Sequence, residues 1–303
     1  MSKPPKEASA DSPDSAPAGC LYLVATPIGN LEDITLRALR ILKEADVILC
    51  EDTRQTLKLL SHFEISKRLV SYHEHNEITR APEVVIELEQ GAQVALVSDA
   101  GTPAISDPGH RLVSLCLRHG IRVIPIPGAS AFVSALAASG MPIEEFVFIG
   151  FLPARQSARR KALRELASEN RTVALYEAPH RLVDTLEDAF EILGNRPAVI
   201  ARELTKTYEE FLRGHLEDLV DAVRRKPPRG EITLLIAPPD AQTAKSPDAT
   251  SHEYAAQVPL ARRVEEIMQA SGGDRKAALK AAARERGLTR REAYKQLLVT
   301  RDE

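Results

Sequence analysis

Apolar residues recur through the first part of the chain as short runs separated by segments with helical spacing. The runs have the length of buried strands and lie at residues 21–25, 47–49, 69–71, 94–97 and 123–126. Between them, residues 36–42 and 112–117 show the i, i+3, i+4 apolar spacing of an amphipathic helix. This alternation predicts an α/β domain with a mostly parallel sheet over residues 19–126.

A second block of similar pattern covers residues 127–238. Its apolar runs lie at residues 146–149, 173–176, 198–201 and 232–237. Helical spacing is found at residues 159–166 and 182–193. The interval between Ala201 and Phe211 is too short for a crossover helix, so some of these strands should be antiparallel. The pattern therefore predicts a second α/β domain with a mixed sheet.

The two ends of the chain differ from this pattern. Residues 1–18 are rich in Pro, Ser and Ala without the apolar centre of a secretory signal, and we expect a disordered tail. Residues 239–256 have the composition of a linker, and residues 257–303 predict a basic helical module of helix-turn-helix proportions, with Thr289 as a helix N-cap. Its phosphate contacts would be Arg290, Arg291 and Lys295, although an ordinary helical hairpin is the alternative.

Composition indicates which compartment and which partners to expect for the protein. No apolar run reaches the roughly 20 residues that span a bilayer, so no membrane partner is expected. Cys20, Cys50 and Cys116 sit in or beside apolar stretches without metal-ligand spacing, which favours buried thiols in a reducing compartment such as the cytoplasm. The net charge of -3 argues against a protein that coats nucleic acid everywhere, although it says little about a local basic face. No DNA partner is expected.

Three loops after apolar strands are rich in residues with special backbone properties. Residues 98–109 read Ser-Asp-Ala-Gly-Thr-Pro-Ala-Ile-Ser-Asp-Pro-Gly, and residues 26–30 and 127–131 are similar in character. Loops that follow different parallel strands can face one ligand, so these three are expected to form a cleft. A purely structural turn is the alternative for residues 98–109. No dinucleotide or Walker phosphate loop is present, which argues against NAD and ATP.

These motifs resemble those of the tetrapyrrole methylase family, and within it the group that methylates a cytidine ribose 2'-hydroxyl in 16S ribosomal RNA. The resemblance spans residues 21–237 and is carried by residues 25–31, 50–54, 98–108, 127–131, 176–181 and 202–206. It implies S-adenosylmethionine bound in a cleft between two α/β domains, usually in a homodimer. The small ribosomal subunit and its decoding centre would be the substrate, and the basic module resembles the helix-turn-helix extension of this group.

The resemblance also implies a set of cofactor-binding residues. It places around the cofactor Pro27, Asp99, Gly101, Thr102, Ile105, Ser130 and Ala131, with Ala178, Glu231 and Ile232 near the adenine. An acid such as Asp99 near a positive sulfonium is electrostatically favourable. The alternative for Asp99 is a cap within its own loop.

Methylation of a hydroxyl needs positioning and a group that takes the proton, and it needs no metal. In the polar cluster that follows the third strand, His73 and His75 are the candidate proton acceptors, with Arg54 steadying charge or phosphate. Surface histidines are the alternative, and a His-x-His metal site would lack a third ligand. Asn76 is a candidate RNA contact. Glu177 and Arg181 could contact RNA or support the cleft, and a structural salt-bridge role is the alternative for them.

Further arginines and two other functions complete the expectations. Residues 155–164 carry a basic face that could bind phosphates or only face solvent; its members are Arg155, Arg159, Arg160, Lys161 and Arg164.

The same fold with a tetrapyrrole or other small-molecule acceptor is the first alternative function. The second is a noncatalytic RNA-binding assembly factor.

Overall fold

A computed structural model describes residues 19–239 and five further helical positions, Val264, Met268, Ala278, Leu279 and Ala282. The chain divides into two compact units, Met1–Pro238 and Pro239–Glu303. The first unit contains both predicted α/β domains, whose boundary stays a prediction. The predicted tail, linker and basic contacts Arg290, Arg291 and Lys295 lie outside the described residues.

The first half of this unit is a parallel five-stranded sheet in the order β3-β2-β4-β1-β5. Its strands are β1 (Cys20–Val24), β2 (Val47–Cys50), β3 (Arg68–Ser71), β4 (Gln93–Val97) and β5 (Arg122–Ile126). The helices are α1 (Leu36–Glu44), α2 (Thr53–His62), α3 (Glu77–Glu89) and α4 (His110–Arg118). The predicted parallel sheet is confirmed.

Local chemistry explains where these helices begin. The Thr35 hydroxyl accepts a hydrogen bond from the Ala38 amide at 3.1 Å, and the Asp52 carboxylate accepts one from the Arg54 amide at 2.8 Å. Each bond satisfies an amide that the first turn of a helix leaves without an intrahelical partner. The apolar faces of these helices cover both faces of the sheet, as the near-continuous apolar runs of its strands require.

The second half is a mixed five-stranded sheet in the order β6-β7-β10-β8-β9. Its strands are β6 (Phe146–Phe151), β7 (Thr172–Glu177), β8 (Pro197–Arg202), β9 (Glu210–His215) and β10 (Ile232–Ile236). The helices are α5 (Ala131–Ser139), α6 (Gln156–Glu165), α7 (Leu182–Leu193) and α8 (Leu216–Arg225). Strands β8 and β9 are antiparallel, as the short interval before Phe211 predicts.

The two halves share an apolar cluster. Ile28, from the loop after β1, packs with Ala135 and Leu136 of α5 and with Val199 of β8. Because α5 covers one face of the second sheet, this cluster fixes the loops of the first sheet against the second. Among the described residues no helix is long and apolar enough to cross a membrane.

Candidate functional site

The three loops expected to converge do meet at one edge of the first sheet. Strand β1 lies between β4 and β5, so the chain leaves all three strands side by side. Thr26 and Gly101 exchange two backbone hydrogen bonds at 2.8 and 3.0 Å, and the Thr102 hydroxyl donates to the carbonyl of Ala129 at 3.3 Å. The loops therefore form one hydrogen-bonded layer.

The loop over residues 98–109 adopts a backbone that few sequences allow. Its φ angles are +87° at Gly101, +67° at Ala104, +60° at Ser106 and +144° at Gly109. A Cβ at Gly109 would lie 2.9 Å from Leu96 Cδ2 and 3.1 Å from Ala104 Cβ. Positive φ at a residue other than glycine costs on the order of 1–3 kcal/mol and persists where the surroundings enforce it, often at functional sites.

This loop borders a cavity of about 390 Å³ between the two sheets. The first sheet contributes Ile28, Asp99, Ala100, Gly101, Thr102, Ile105, Ser106, Asp107, Ser130 and Ala131. The second contributes Phe151, Tyr176, Glu177, Ala178, Pro179, Ala201, Leu204, Gly230, Glu231, Ile232 and Thr233. The volume falls within the roughly 300–1,000 Å³ of ordinary small-molecule sites.

The lining of this first cavity suits a cationic ligand with an apolar part. Its charged side chains are all carboxylates, and within residues 19–239 no lysine or arginine borders it. One of these acids is positioned by the protein, because Asp99 Oδ1 accepts a hydrogen bond from the Asp52 amide at 3.0 Å. Aromatic and aliphatic side chains, among them Tyr176 and Leu204, supply the apolar surface.

The far wall of the cavity is held by an ionic cluster. Lys206 Nζ lies 2.9 Å from Glu203 Oε1 and 3.1 Å from Glu231 Oε2. Glu203 Oε1 also accepts the Glu231 amide at 3.0 Å. A Cβ on Gly230 would fall 2.0 Å from Glu203 Oε1, so the carboxylate occupies the space that a side chain there would need. This cluster fixes the residues of the wall before β10.

The structure brings the expected cofactor residues together with one exception. Lining the first cavity are Asp99, Gly101, Thr102, Ile105, Ser130, Ala131, Ala178, Glu231 and Ile232. Pro27 does not line it, whereas its neighbour Ile28 does. Their roles toward a cofactor stay predictions. Sequence reasoning missed Phe151 and Tyr176, which border the cavity because the second sheet packs there.

The proposed catalytic histidines lie elsewhere. His73 is half-buried and His75 exposed, with their ring centroids 5.8 Å apart, and neither borders the first cavity. The Arg54 side chain is mostly exposed and forms an ion pair with Asp52 at 2.7 Å. These three residues share the carboxyl edge of the first sheet but do not line the cavity.

The candidate RNA contacts Asn76 and Arg181 have local partners. The Asn76 side chain accepts from the His73 amide at 2.9 Å and donates to the Ser71 carbonyl at 3.0 Å. Arg181 donates to the carbonyl of Leu152 at 2.7 Å and lies 3.3 Å from Glu177. Asn76 therefore stabilises its own loop, and Arg181 connects the segment after β7 to the residue after β6.

The expected basic face on α6 is partly wrong. The Arg159 side chain is only 3% exposed and forms an ion pair with the equally buried Asp188 at 2.8 Å. Arg160 pairs with Asp188 and Glu191. These ion pairs connect α6 to α7.

A second cavity, also of about 390 Å³, lies beside the first. It is lined by Glu74, Glu77, Asp107, Pro108, Gly109, His110, Arg111, Ser114 and Arg118. Unlike the first cavity, it has both acidic and basic side chains. Asp107 borders both cavities, a position that its place in the sequence did not reveal.

Comparisons with known proteins agree with this geometry. The family model of tetrapyrrole (corrin/porphyrin) methylases matches residues 20–220. A ribosomal RNA small subunit methyltransferase I of Halalkalibacterium halodurans is 52% identical over 91% of this chain and 93% of its own. One from Thermotoga maritima is 50% identical over 72% of this chain and 98% of its own.

Solved structures share the fold. The uroporphyrin-III C-methyltransferase of Thermus thermophilus, complexed with S-adenosylhomocysteine, superposes with a TM-score of 0.51 at 22% identity. The match covers 72% of this chain and 96% of that one. At this identity the likeness concerns the fold.

Proposed function

Because the chain belongs to the tetrapyrrole methylase family, in the group of ribosomal RNA small subunit methyltransferase I proteins, we propose that it methylates a cytidine ribose 2'-hydroxyl in the decoding centre of the small ribosomal subunit. The observation that carries this proposal is the identity of 52% over nearly the whole length of such a methyltransferase. The chain is an S-adenosylmethionine-dependent methyltransferase, and the exact nucleoside and atom are the proposed part.

The first cavity fits S-adenosylmethionine. The cofactor carries a positive sulfonium, and the cavity presents carboxylates without a lysine or arginine among its described lining residues. An opposite charge a few ångströms away in a partly dry site stabilises a cation by several times more than it does in water. We propose that Asp99, Gly101, Thr102, Ile105, Ser130 and Ala131 hold the cofactor on one side, and Ala178, Glu231 and Ile232 on the other.

The bound cofactor supplies an activated methyl group, and the protein supplies position. The hydrogen-bonded layer of Thr26, Gly101 and Thr102 holds one wall rigid, while the Lys206 cluster holds the other. A rigid cleft that aligns the acceptor hydroxyl with the methyl carbon can supply about 7–11 kcal/mol of the barrier reduction. The strained backbone of residues 98–109 is consistent with such a preorganised wall.

The decisive experiment is transfer of labelled methyl to small ribosomal subunits from cells that lack this protein, followed by identification of the nucleoside. We expect 2'-O-methylated cytidine. Label on another nucleoside would refute the proposed site, and label only on a porphyrinoid would support the small-molecule alternative. Failure of the folded protein to bind S-adenosylmethionine would favour the assembly factor.

A pair of variants ties the activity to the cavity. Ala178→Phe places a ring in the first cavity and should abolish cofactor binding measured by calorimetry. Ala167→Phe makes the same substitution at an exposed position outside both cavities and should bind normally. Equal binding by the two variants would contradict the assignment of this cavity to the cofactor.

We also propose that the protein binds RNA through its C-terminal basic module and that it forms a homodimer. If Arg290, Arg291 and Lys295 contact phosphates, affinity for the subunit should fall steeply with salt because bound counterions are released. A flat dependence would count against RNA binding by this module. Sedimentation of the purified protein tests the dimer.

A further inference from the structure

Asp107 occupies the boundary between the two cavities. It lies in the strained loop of residues 98–109, two residues before Gly109, which directly precedes α4. On one side it borders the first cavity, together with Asp99 and Thr102, and on the other it borders the second, together with His110 and Arg111. Among the residues that line these two cavities, it is the one common to both.

The backbone holds Asp107 firmly in this place. The residue before it, Ser106, has a φ of +60°, and its hydroxyl lies 2.9 Å from the point where a Cβ would project from Gly150. Gly150 itself, at φ +65°, belongs to the irregularity in the pairing of β6 with β7. The second sheet therefore packs on the loop directly beside Asp107, which limits the freedom of its carboxylate.

The Asp107 carboxylate differs from two nearby acids, Asp99 and Asp52, in having no partner. Asp99 accepts the Asp52 amide, and Asp52 is paired with Arg54. For Asp107, no hydrogen bond or ion pair is found in the part of the chain that the structure describes. Its oxygens are therefore open to a ligand.

Its surroundings also make Asp107 an unusually good proton acceptor for a carboxylate. Burial, followed by the negative charges of Glu51 and Asp99, raises its pKa from 3.8 to about 7. A general base is most effective when its pKa lies near the working pH. By contrast, hydrogen bonds from Arg54 lower the pKa of Asp52 to about 2, which makes that carboxylate a weak base.

On the basis of the proposed function, we propose that the Asp107 carboxylate accepts the proton of the ribose hydroxyl as the methyl group is transferred. The hydroxyl oxygen forms a bond to the methyl carbon while the carbon–sulfur bond breaks. The electron pair of the carbon–sulfur bond passes to the sulfur. The hydroxyl proton passes to Asp107, so the charge of the sulfonium and that of the carboxylate are both lost. The first cavity would then hold the cofactor, and the second would admit the nucleotide.

Other titratable groups are less well placed. His73 and His75 border neither cavity. In addition to the larger effect of burial, Glu51 raises the pKa of Asp107 through its negative charge, and the negative charge of Asp107 in turn raises the pKa of Tyr176. The charged and titratable groups that share the second cavity with Asp107 are Glu74, Glu77, His110, Arg111 and Arg118.

The test compares Asp107→Asn with the matched substitution Asp221→Asn, at an exposed position on α8 that borders neither cavity. Methyl transfer to small subunits is measured across pH at saturating cofactor, and binding of neutral S-adenosylhomocysteine is measured by calorimetry. We expect kcat of Asp107→Asn to fall about 100-fold to 10,000-fold, as for loss of a general base. In the wild type, log kcat/KM should fall as the pH drops below about 7, and this acidic limb should disappear in Asp107→Asn. The affinity for S-adenosylhomocysteine should stay unchanged.

Asp107→Glu provides a second variant, since it keeps a carboxylate and should retain an acidic limb at reduced rate. The inference is overturned if Asp107→Asn keeps kcat within tenfold and the limb intact. If only the KM for the cofactor rises, Asp107 acts as a counter-ion to the sulfonium, and the inference is overturned. It is also overturned if the affinity for S-adenosylhomocysteine falls in proportion to the activity. If the wild-type protein transfers no methyl to the subunit, the proposed function fails first.

Discussion

Glu177 should be one of the most stabilising side chains beside the first cavity. It ends β7, and its carboxylate is fully shielded from solvent. Oε1 accepts the Ala178 amide at 2.8 Å, Oε2 accepts the Thr185 hydroxyl at 2.6 Å, and Arg181 Nε lies 3.3 Å from Oε1. Replacing it with alanine removes all three interactions from the wall formed by Ala178 and Pro179.

The cost can be worked from these contacts. A hydrogen bond to a charged group contributes roughly 1.5–3 kcal/mol, and Glu177→Ala loses two of them. The Arg181 guanidinium keeps its bond to the Leu152 carbonyl but loses its countercharge. We therefore expect a loss of about 3–5 kcal/mol in the free energy of unfolding, as for a broken buried ion pair. Thr185→Val removes one bond and should cost about 1.5–3 kcal/mol.

Urea denaturation at neutral pH measures both variants, with Glu165→Ala on the exposed end of α6 as the control. The control should change stability by less than about 0.5 kcal/mol. Cofactor affinity of Glu177→Ala should also fall, because Ala178 and Pro179 lose their anchor. A cost below about 1 kcal/mol for Glu177→Ala, or an equal cost for Thr185→Val, would refute this reasoning.

Three further predictions concern stability. Asp107→Asn should be more stable than wild type above about pH 7, by on the order of 4 kcal/mol at most, because the folded protein binds the Asp107 proton more tightly than the unfolded chain does. The gain should vanish below about pH 4. Thermal melts across this range measure it, and a stability difference between variant and wild type that does not change with pH would mean that the pKa of Asp107 is ordinary. Asp188→Asn leaves Arg159 buried without its countercharge and should cost about 3–5 kcal/mol by urea denaturation; a cost under about 1 kcal/mol would mean the pair is not buried in solution. Gly109→Ala forces a side chain against Leu96 at a φ of +144° and should lower the melting temperature and slow methyl transfer, whereas unchanged values would contradict the loop geometry.

Local pattern was sufficient for much of the fold. Short apolar runs with helical spacing between them predicted the parallel first sheet, and the short interval before Phe211 predicted the antiparallel pair β8 and β9. The extent of strand β9, Glu210–His215, was not predicted, because its sequence alternates poorly and it lies at the edge of the sheet. Pro82 lies inside α3, where a sequence rule expects a helix to end.

The sequence by itself determined the loops at the carboxyl edge, because their glycines, prolines and small residues are required by backbone geometry. Through the resemblance of its motifs to a known family, it also pointed to nine of the residues that line the first cavity. Only the tertiary structure decided which charged groups are paired. Arg159 is buried in an ion pair with Asp188 of another helix, whereas Asp107, which borders the cavity between the two sheets, has no partner among the described residues. Burial and pairing depend on residues far apart in sequence, so a local pattern cannot contain them.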